Sequence, residues 1–259
     1  MKALKTPQHV VISGASSGLG LALARHYLER GATVAAFARR GELLQDLATE
    51  YPDHVFCYVV DVRDSPSLQN AANDFIARAG VPGVVIANAG VSVGTLTEHD
   101  EDLEAFQQVM DINVLGMVKT FQPFVAAMRT AQQGSLVGIA SVAGFRGLPG
   151  ASAYSASKAA AISYLESLRV ELHGSGVKVV TICPGYISTP MTSVNPYSMP
   201  FLLGADDAAK RIARAIDRQT SLTVIPWQMG LVGRVLKLLP NWLYDRLFSQ
   251  APRKPRRYI

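Results

Sequence analysis

The sequence predicts an α/β fold: a single doubly wound domain with a parallel sheet of about seven strands and helices on both faces. Apolar runs and helical segments alternate from residue 9 onwards, and the runs are continuously apolar, which is typical of strands buried on both faces. The chain has 259 residues, 49% of them hydrophobic and 17% charged, so it can bury one large core. No linker, repeat or low-complexity run divides it.

Strands and helices can be assigned in chain order from these runs. The predicted strands are residues 9–13, 33–38, 54–62, 83–90, 135–144, 177–185 and 221–226. The predicted helices are residues 19–31, 41–51, 65–80, about 101–130, 153–172 and 205–219. Ser65 and Pro66 mark the start of the third helix, since proline is favoured at the first helical position. In the helix over 153–172, apolar residues recur at spacings of three and four without Pro or Gly.

Charge and composition argue against several classes of protein. The net charge is +5 and the pI about 9.3, but four of the basic residues lie in the last seven positions: Arg253, Lys254, Arg256 and Arg257. The rest of the chain is close to balanced in charge, so no nucleic-acid partner is predicted. Cys57 and Cys183 form no paired motif and are predicted to be free thiols in a reducing compartment. The five histidines show no metal-ligand spacing, so no metal site is predicted. Without a signal-peptide or membrane-span pattern, the expected location is cytoplasmic.

A glycine-rich turn separates the first strand from the first helix. It reads SGASSGLG over residues 13–20, with Gly14, Gly18 and Gly20 in a G-x-x-x-G-x-G spacing. Glycine allows a tight turn and close backbone approach, and the helix N-terminus offers free N–H groups to a pyrophosphate. The turn after the first strand therefore predicts a dinucleotide-binding site.

The end of the second strand indicates which dinucleotide is preferred. An NAD site usually has an acidic residue about 20 residues after the loop, bonded to the ribose 2′-hydroxyl. This chain instead has Arg39 and Arg40, with no acid before Glu42. Because a guanidinium binds a phosphate through paired hydrogen bonds, NADP(H) is favoured over NAD(H), with Arg39 as the main contact and Arg40 as a second. The alternative is that both arginines are solvated at the start of a helix.

Tyr154 and Lys158 stand four residues apart in AYSASKAA, residues 153–160. On a helix they share one face, about 6 Å apart along the axis. A cation about 4 Å from a phenol, at an effective dielectric near 20, favours the phenolate by about 4 kcal/mol. This brings the expected pKa of Tyr154 near neutral, where a general acid or base works best. The alternative is an exposed tyrosine beside a solvated lysine.

Several motifs together resemble the short-chain dehydrogenase/reductase family, whose domain is of the Rossmann type. They are SGASSGLG, Asp61 in DVRD, ANAG at 87–90, Asn113 in DINVLG, Ser141, YSASK, and PGYIST at 184–189. Their order and spacing carry the resemblance, which covers residues 9 to about 190. Ala87 and Ser13 are departures, since many members have asparagine and threonine there.

The resemblance implies a catalytic set of four residues. Tyr154 would protonate the carbonyl oxygen during reduction, and Ser141 would hydrogen-bond that oxygen. Lys158 would lower the pKa of Tyr154 and hold the nicotinamide ribose. Asn113 would hold a water that links Lys158 to solvent.

The same resemblance implies the cofactor contacts. Asp61 and Val62 would bracket the adenine, and the segment after the fourth strand would line the ribose region. The implied contacts, besides the two arginines, Tyr154 and Lys158, are Gly14, Ser16, Ser17, Gly18, Leu19, Gly20, Asp61, Val62, Asn88, Ala89, Gly90, Pro184, Gly185, Ile187 and Thr189. Residues 1–225 would then form the dinucleotide-binding catalytic domain.

Residues 186–204 are predicted to form a lid over the substrate, and an ordinary ordered loop or oligomer contact is the alternative. The segment is rich in Pro, Met and aromatic residues, which suggests an apolar substrate. No charged residue lies between Lys178 and Asp206, so an acidic substrate is disfavoured unless another loop supplies the cation.

Residues 226–259 form an apolar and basic C-terminal extension. An apolar stripe over 231–239 and a second short segment with Trp242 are expected to pack on the same domain or in a dimer. The alternative is a membrane-surface anchor, since the extension is amphipathic and ends in a basic cluster.

The sequence thus predicts an oxidoreductase that transfers a hydride between NADP(H) and a carbonyl or secondary alcohol of an apolar small molecule. The alternative is an NADP(H)-binding regulator without turnover. A sugar-nucleotide epimerase can share YxxxK, but the glycine spacing and modest size argue against it. The resemblance also implies a homodimer or homotetramer.

Overall fold

The computed structural model describes residues 8–256 and contains the predicted parallel sheet. Seven strands pair in the order β3-β2-β1-β4-β5-β6-β9, and every pairing is parallel. The strands are β1 His9–Ser13, β2 Thr33–Ala38, β3 Val55–Val59, β4 Val84–Ala87, β5 Ser135–Ile139, β6 Lys178–Pro184 and β9 Leu222–Ile225. The predicted fold class is confirmed. The first seven residues, and Arg257 of the basic cluster, lie outside the described part.

Helices cover both faces of the sheet. They are α1 Gly18–Glu29, α2 Gly41–Glu50, α3 Ser65–Ala79, α4 Asp102–Met110, α5 Gly116–Thr130, α6 Ser152–Glu171, α7 Ala205–Asp217, α8 Trp227–Leu238 and α9 Asn241–Phe248. Val10 and Ile12 of β1 pack with α1, α2 and α7, whereas Val11 packs with α3, α5 and α6. The central strands are continuously apolar because they contribute side chains to both cores.

Three predicted strands end earlier than the apolar runs do. The runs over 54–62, 83–90 and 135–144 stop pairing at Val59, Ala87 and Ile139. The residues beyond these points leave the sheet at its carboxyl edge, and a short 3₁₀ turn, Val142–Gly144, follows β5. Apolar residues such as Val60, Ala89 and Ala140 follow the strand ends because they line a cleft instead of pairing in the sheet.

Two other predicted boundaries need correction. The helix expected over about 101–130 is divided by a π-helical turn, Asp111–Leu115, which separates α4 from α5. The segment 186–204 is not wholly irregular, since β7 Ile187–Ser188 and β8 Leu203–Gly204 pair within it. Single π-helical turns are rare in proteins but occur frequently at functional sites. The periodicity of the sequence does not reveal this one.

The C-terminal helices pack against loops of the same domain. Arg146 donates to the carbonyls of Leu236 (2.8 Å) and Leu239 (2.6 Å), and its guanidinium lies 4.1 Å from the ring centroid of Tyr244. The Tyr244 hydroxyl donates to the carbonyl of Gly147 at 2.6 Å. The carbonyls at the end of α8 thereby gain a cation as partner. Within residues 8–256, no helix is both long and apolar enough to cross a membrane.

Candidate active site

The glycine-rich turn is held at the carboxyl edge of the sheet, between β1 and β4. Gly14 donates to the carbonyl of Phe37 at 2.8 Å, and Asn88 donates to the carbonyls of Ser13 and Gly14 at 3.1 and 3.3 Å. The Ser13 hydroxyl accepts the backbone N–H of Asn88 at 3.1 Å. Strand order reverses between β1 and β4, which is where doubly wound sheets bind ligands.

Two glycines in this turn fit a dinucleotide cradle. Gly14 has φ +70°, a conformation that side chains disfavour, and a Cβ there would lie 2.8 Å from the Cα of Ala89. A Cβ on Gly20 would overlap the carbonyl oxygen of Gly14, so the first turn of α1 approaches the loop backbone directly. The loop therefore leaves open space and backbone N–H groups at a helix N-terminus, which suits a pyrophosphate.

A single cleft along this edge collects most of the predicted site residues. Of the predicted residues, the cleft is lined by Gly14, Ser16, Ser17, Gly18, Leu19, Arg39, Arg40, Asp61, Val62, Asn88, Ala89, Gly90, Ser141, Tyr154, Lys158, Pro184, Gly185, Ile187 and Thr189. Gly20 and Asn113 are buried behind the wall and do not line it.

The two arginines after β2 lie in the cleft but differ in their contacts. Arg40 donates to the hydroxyls of Ser16 (3.0 Å) and Ser17 (2.7 Å), so its guanidinium folds back onto the glycine-rich turn. Arg39 lines the same cleft, and its charge contributes to lowering the pKa of Asp61. The sequence ranked Arg39 first, whereas Arg40 makes the ordered contacts. Two guanidinium groups thus stand where a 2′-phosphate would be expected.

Asp61 follows β3 and pairs with Arg63. The Arg63 guanidinium donates to both carboxylate oxygens at 2.7 to 3.1 Å, and its backbone N–H donates at 2.9 Å. These hydrogen bonds are the main reason that the pKa of Asp61 is lowered. The carboxylate is therefore fixed and ionised at the end of the cleft where the resemblance implies the adenine.

Ser141 and Lys158 are anchored on neighbouring elements. Ser141, just after β5, donates to the carbonyl of Pro184 at 3.3 Å and accepts the backbone N–H of Ala143 at 3.2 Å. Lys158 is 4% exposed, and its Nζ donates to the carbonyl of Ile139, the last residue of β5, at 2.8 Å. The ammonium lies 5.7 Å from the ring centroid of Tyr154. The serine, the phenol and the ammonium therefore meet at the end of one strand.

The expected pKa of Tyr154 needs correction. Burial raises the pKa of Tyr154, and a hydrogen bond with Ser141 opposes this only in part. Burial also lowers the pKa of Lys158 to about 8. The charge of Lys158 alone would lower the pKa of Tyr154, but desolvation penalises both the phenolate and the ammonium here. In this structure the phenol is therefore held protonated.

Asn113 lies on the π-helical turn and connects two walls of the site. Its amide donates to the carbonyl of Val91 (2.9 Å) and to the Ser157 hydroxyl (3.0 Å), and it accepts the N–H of Val91 at 2.8 Å. The Ser157 hydroxyl in turn donates to the carbonyl of Tyr154 at 2.8 Å. Asn113 thereby joins the segment after β4 to the helix that carries Tyr154. The water relay implied by the resemblance stays a prediction.

Several cleft residues were not named at the sequence level. They are Phe37, Ala38, Val60, Val91, Ile112, Ile139 and Ala140. Most of them directly precede or follow a predicted site residue, so a rule that counts the neighbours of such residues would have included them. Pro190, Met191 and Thr192 also line the cleft, and they lie in the segment 186–204 that was predicted to form a lid.

The lid has an internal structure that explains how it reaches the cleft. Thr192 donates to the carbonyl of Ile187 at 2.6 Å and accepts the N–H of Thr189 at 3.1 Å. The rings of Tyr186 and Tyr197 meet edge to face, with centroids 6.4 Å apart. Residues 187–192 of this segment thus form part of the wall of the cleft that Tyr154 also lines. Among residues 8–256, no group of three His, Cys, Asp or Glu side chains is arranged to hold a metal ion.

Comparison with known proteins gives one consistent family. A family model described as "short chain dehydrogenase" matches residues 8–197. A protein of Myxococcus xanthus described as an uncharacterized oxidoreductase is 39% identical over 238 residues, covering 91% of this chain and 94% of that protein. The 2-dehydro-3-deoxy-L-rhamnonate dehydrogenase (NAD(+)) of a Sphingomonas species is 34% identical over 188 residues, covering 73% and 75%.

A solved structure supports the same comparison over nearly the full length. A short chain dehydrogenase from Burkholderia cenocepacia in complex with NADP superposes with a TM-score of 0.81 and 26% identity. The superposition covers 94% of this chain and 98% of that one.

Proposed function

Because the chain belongs to the short-chain dehydrogenase family, and is an NAD(P)-dependent oxidoreductase, we propose that it transfers a hydride between NADP(H) and a carbonyl or secondary alcohol. One observation carries the proposal: the hydroxyl of Ser141, the phenol of Tyr154 and the ammonium of Lys158 line the same cleft as the glycine-rich turn. When bound, the nicotinamide supplies or accepts the hydride, and the protein supplies position and proton.

Arg39 and Arg40 support the choice of NADP(H). The relatives alone do not decide it, since one is named for NAD(+) and one structure holds NADP. In this chain no carboxylate stands at the end of β2, where an NAD site would bind the 2′-hydroxyl. Two guanidinium groups and the Ser16 hydroxyl line that place and offer paired donors to a phosphate.

Tyr154 is the proton donor in the reductive direction. Burial raises its pKa, so the phenol holds its proton until an oxyanion develops beside it. Ser141 offers a second hydroxyl in the same cleft, and the Lys158 ammonium lies 5.7 Å from the centroid of the Tyr154 ring. A positioned acid of this kind contributes about 10²- to 10⁴-fold to the rate. Donors aimed at the developing charge stabilise the transition state more than the bound carbonyl.

Replacing Tyr154 with Phe tests the enzyme against the regulator alternative. We expect turnover to fall by about a thousandfold, because the acid is removed, while NADPH binding measured by cofactor fluorescence changes little. Val142→Ala, beside Ser141 but outside the proposed machinery, serves as the control. If the Phe variant reduces carbonyl compounds as fast as the unmodified protein, Tyr154 is not the acid. If the unmodified protein binds NADPH tightly but reduces no carbonyl compound in a broad screen, the regulator becomes the better account.

The C-terminal helices leave an apolar face exposed, and we propose that a second copy of the chain covers it. The exposed side chains are Trp227, Leu231, Val235, Leu238, Trp242 and Leu247. The other face of α8 packs on the domain through Met229 and Gly233. The family resemblance implies a dimer or tetramer, and a patch of this kind marks an interaction site. A membrane surface is the competing occupant.

Leu238→Glu tests this contact, with Leu103→Glu on α4 as the control at another exposed leucine. We expect light scattering to show a homo-oligomer that the first substitution dissociates and the second leaves intact, because a charge cannot be buried unpaired. A monomeric protein that sediments with anionic vesicles would instead establish the membrane-surface contact.

A further inference from the structure

The residues after α9, 251–256, form a strap without helix or strand that runs along the segment after β4. The carbonyl of Pro255 accepts the backbone N–H of Gly94 at 3.0 Å. Arg256 donates to the carboxylates of Asp102 and Glu101, each at 2.8 Å. Asp102 is 6% exposed and also accepts the N–H of Leu96. The strap is thus tied to the segment that follows β4 by a backbone bond and a two-carboxylate ion pair.

The chain beneath the strap is shaped to receive it. A Cβ on Gly94 would overlap the carbonyl oxygen of Lys254 and lie 2.9 Å from that of Pro255. Only glycine lets the two backbones approach this closely. The strap therefore has a fixed path across the loop that leads out of the active site, 160 residues away in sequence.

Lys254 is the strap residue that contacts the rim of the cleft, although it does not itself line it. Its Nζ donates to the hydroxyl of Ser92 at 3.0 Å and lies 3.4 Å from the carbonyl oxygen of Met191. Met191 lines the cleft, and Ser92 directly follows Val91, which also lines it. The ammonium thus bridges the two walls of the substrate side, the segment after β4 and the lid.

The charge of Lys254 has no opposite charge beside it in the described part of the chain. Both of its hydrogen-bond partners are neutral, and none of the carboxylates of residues 8–256 lies within 4.0 Å, whereas neighbouring Arg256 has two. The residue is half-buried, and burial lowers the pKa of its ammonium to about 8. A partly desolvated cation that donates only to neutral acceptors gains from an anion that binds beside it.

We propose that Lys254 is a specificity residue that binds an anionic group, a carboxylate in the first instance, at the end of the substrate away from the reacting carbonyl. The substrate class is then an oxo acid or hydroxy acid with an apolar body, which the lid wall contacts. The lid itself has no charged residue, so the strap supplies the cation that it lacks. This inference rests on the proposed function, because it specifies the substrate of that same site.

The test compares matched acids and esters as probes. Levulinate and three longer straight-chain methyl-ketone acids, each beside its methyl ester, are assayed for NADPH oxidation with the full chain. The series varies the separation of carbonyl and carboxylate, and we expect one length to be preferred. For that length, Lys254→Met should lower the acid-to-ester ratio of kcat/KM by about ten- to a hundredfold, mainly through KM. Lys254→Arg should retain most of the preference.

Two control variants distinguish the effect of the Lys254 ammonium from that of losing any positive charge. Lys237→Met removes the same charge from an exposed position on α8 and should leave the ratio unchanged. Arg256→Gln releases the anchor without touching the ammonium and should lower the ratio in part. Esters reduced as well as acids in the unmodified protein, or a ratio that Lys254→Met leaves unchanged, would overturn the inference.

A second readout keeps this inference distinct from the proposed function. If no acid or ester is reduced, the broad carbonyl screen still decides the proposed function, and calorimetry of the four acids binding to the NADP⁺-loaded protein decides the role of Lys254 separately. Binding that Lys254→Met weakens by about tenfold or more supports the anion site, and undetectable or unchanged binding overturns it.

Discussion

The cofactor side and the substrate side of the cleft are built in different ways. On the cofactor side, many of the expected contacts follow soon after a strand, as with the glycine-rich turn after β1 and the arginines after β2. On the substrate side, the wall combines a segment near residue 92, the lid over 186–204 and the strap over 251–256. The residues of the cofactor side can therefore be predicted from local sequence motifs, whereas those of the substrate side come from distant segments that the fold brings together.

The largest predicted effect lies on the cofactor side. Gly20→Ala should weaken NADPH binding by about a hundredfold and lower the free energy of unfolding by about 1–3 kcal/mol, because the new Cβ overlaps the carbonyl of Gly14. Fluorescence titration and urea unfolding measure the two effects. Gly204→Ala is the matched control, since a Cβ there meets nothing within 4 Å. An unchanged NADPH affinity in Gly20→Ala would show that the turn does not cradle the cofactor.

Substitution of the two arginines after β2 should have a smaller effect, and one that distinguishes NADPH binding from NADH binding. Arg39→Met and Arg40→Met should each weaken NADPH binding by about ten- to a hundredfold and change NADH binding little, because only NADPH carries the 2′-phosphate. Arg40 should show the larger loss, since its contacts to Ser16 and Ser17 hold it at the turn. Arg129→Met, exposed at the end of α5, provides the control. Equal losses for both cofactors would remove the basis for an NADP(H) preference.

The sequence predicted the sheet, and most of the residues it named line one cleft, for a physical reason. Parallel strands need continuous apolar runs, and their carboxyl ends must carry the ligand contacts, so residues such as Asn88 and Pro184 could be placed without a structure. The ends of the strands were predicted too late in the chain, because Val60 and Ala140 are as apolar as the strand residues but line the cleft. Local composition cannot distinguish these two kinds of burial.

The substrate side escaped prediction because its contacts are long-range. Lys254 was counted only as part of a terminal basic cluster, and its approach to Ser92 spans 162 positions. The absence of charge in the lid argued against an acidic substrate, unless another loop supplied the cation. The strap is such a segment. The substrate class cannot be inferred from the lid alone, because the strap supplies the positive charge that the lid lacks.

Lys158 lies where the two sides meet, and its burial predicts a pH-dependent stability. Its pKa is lowered from 10.5 to about 8, so above pH 8 the folded protein releases this proton while the unfolded chain still holds it. The unfolded state then binds more protons at this site, and stability rises with pH. The contribution is an unfavourable one that is fully present below about pH 8 and is relieved as pH rises toward 10.5.

Lys158→Met isolates this contribution, because Lys254, whose pKa is also lowered, is common to both proteins and cancels in the difference. Between about pH 7.5 and 9, the free energy of unfolding of the unmodified protein should rise relative to the Met variant by about 1 kcal/mol. Urea unfolding at several pH values measures the difference. Lys178→Met, at an exposed position on β6, should show no such trend. A difference that stays constant with pH would mean that the ammonium of Lys158 is well solvated, and the enclosed pairing with Tyr154 would then have to be abandoned.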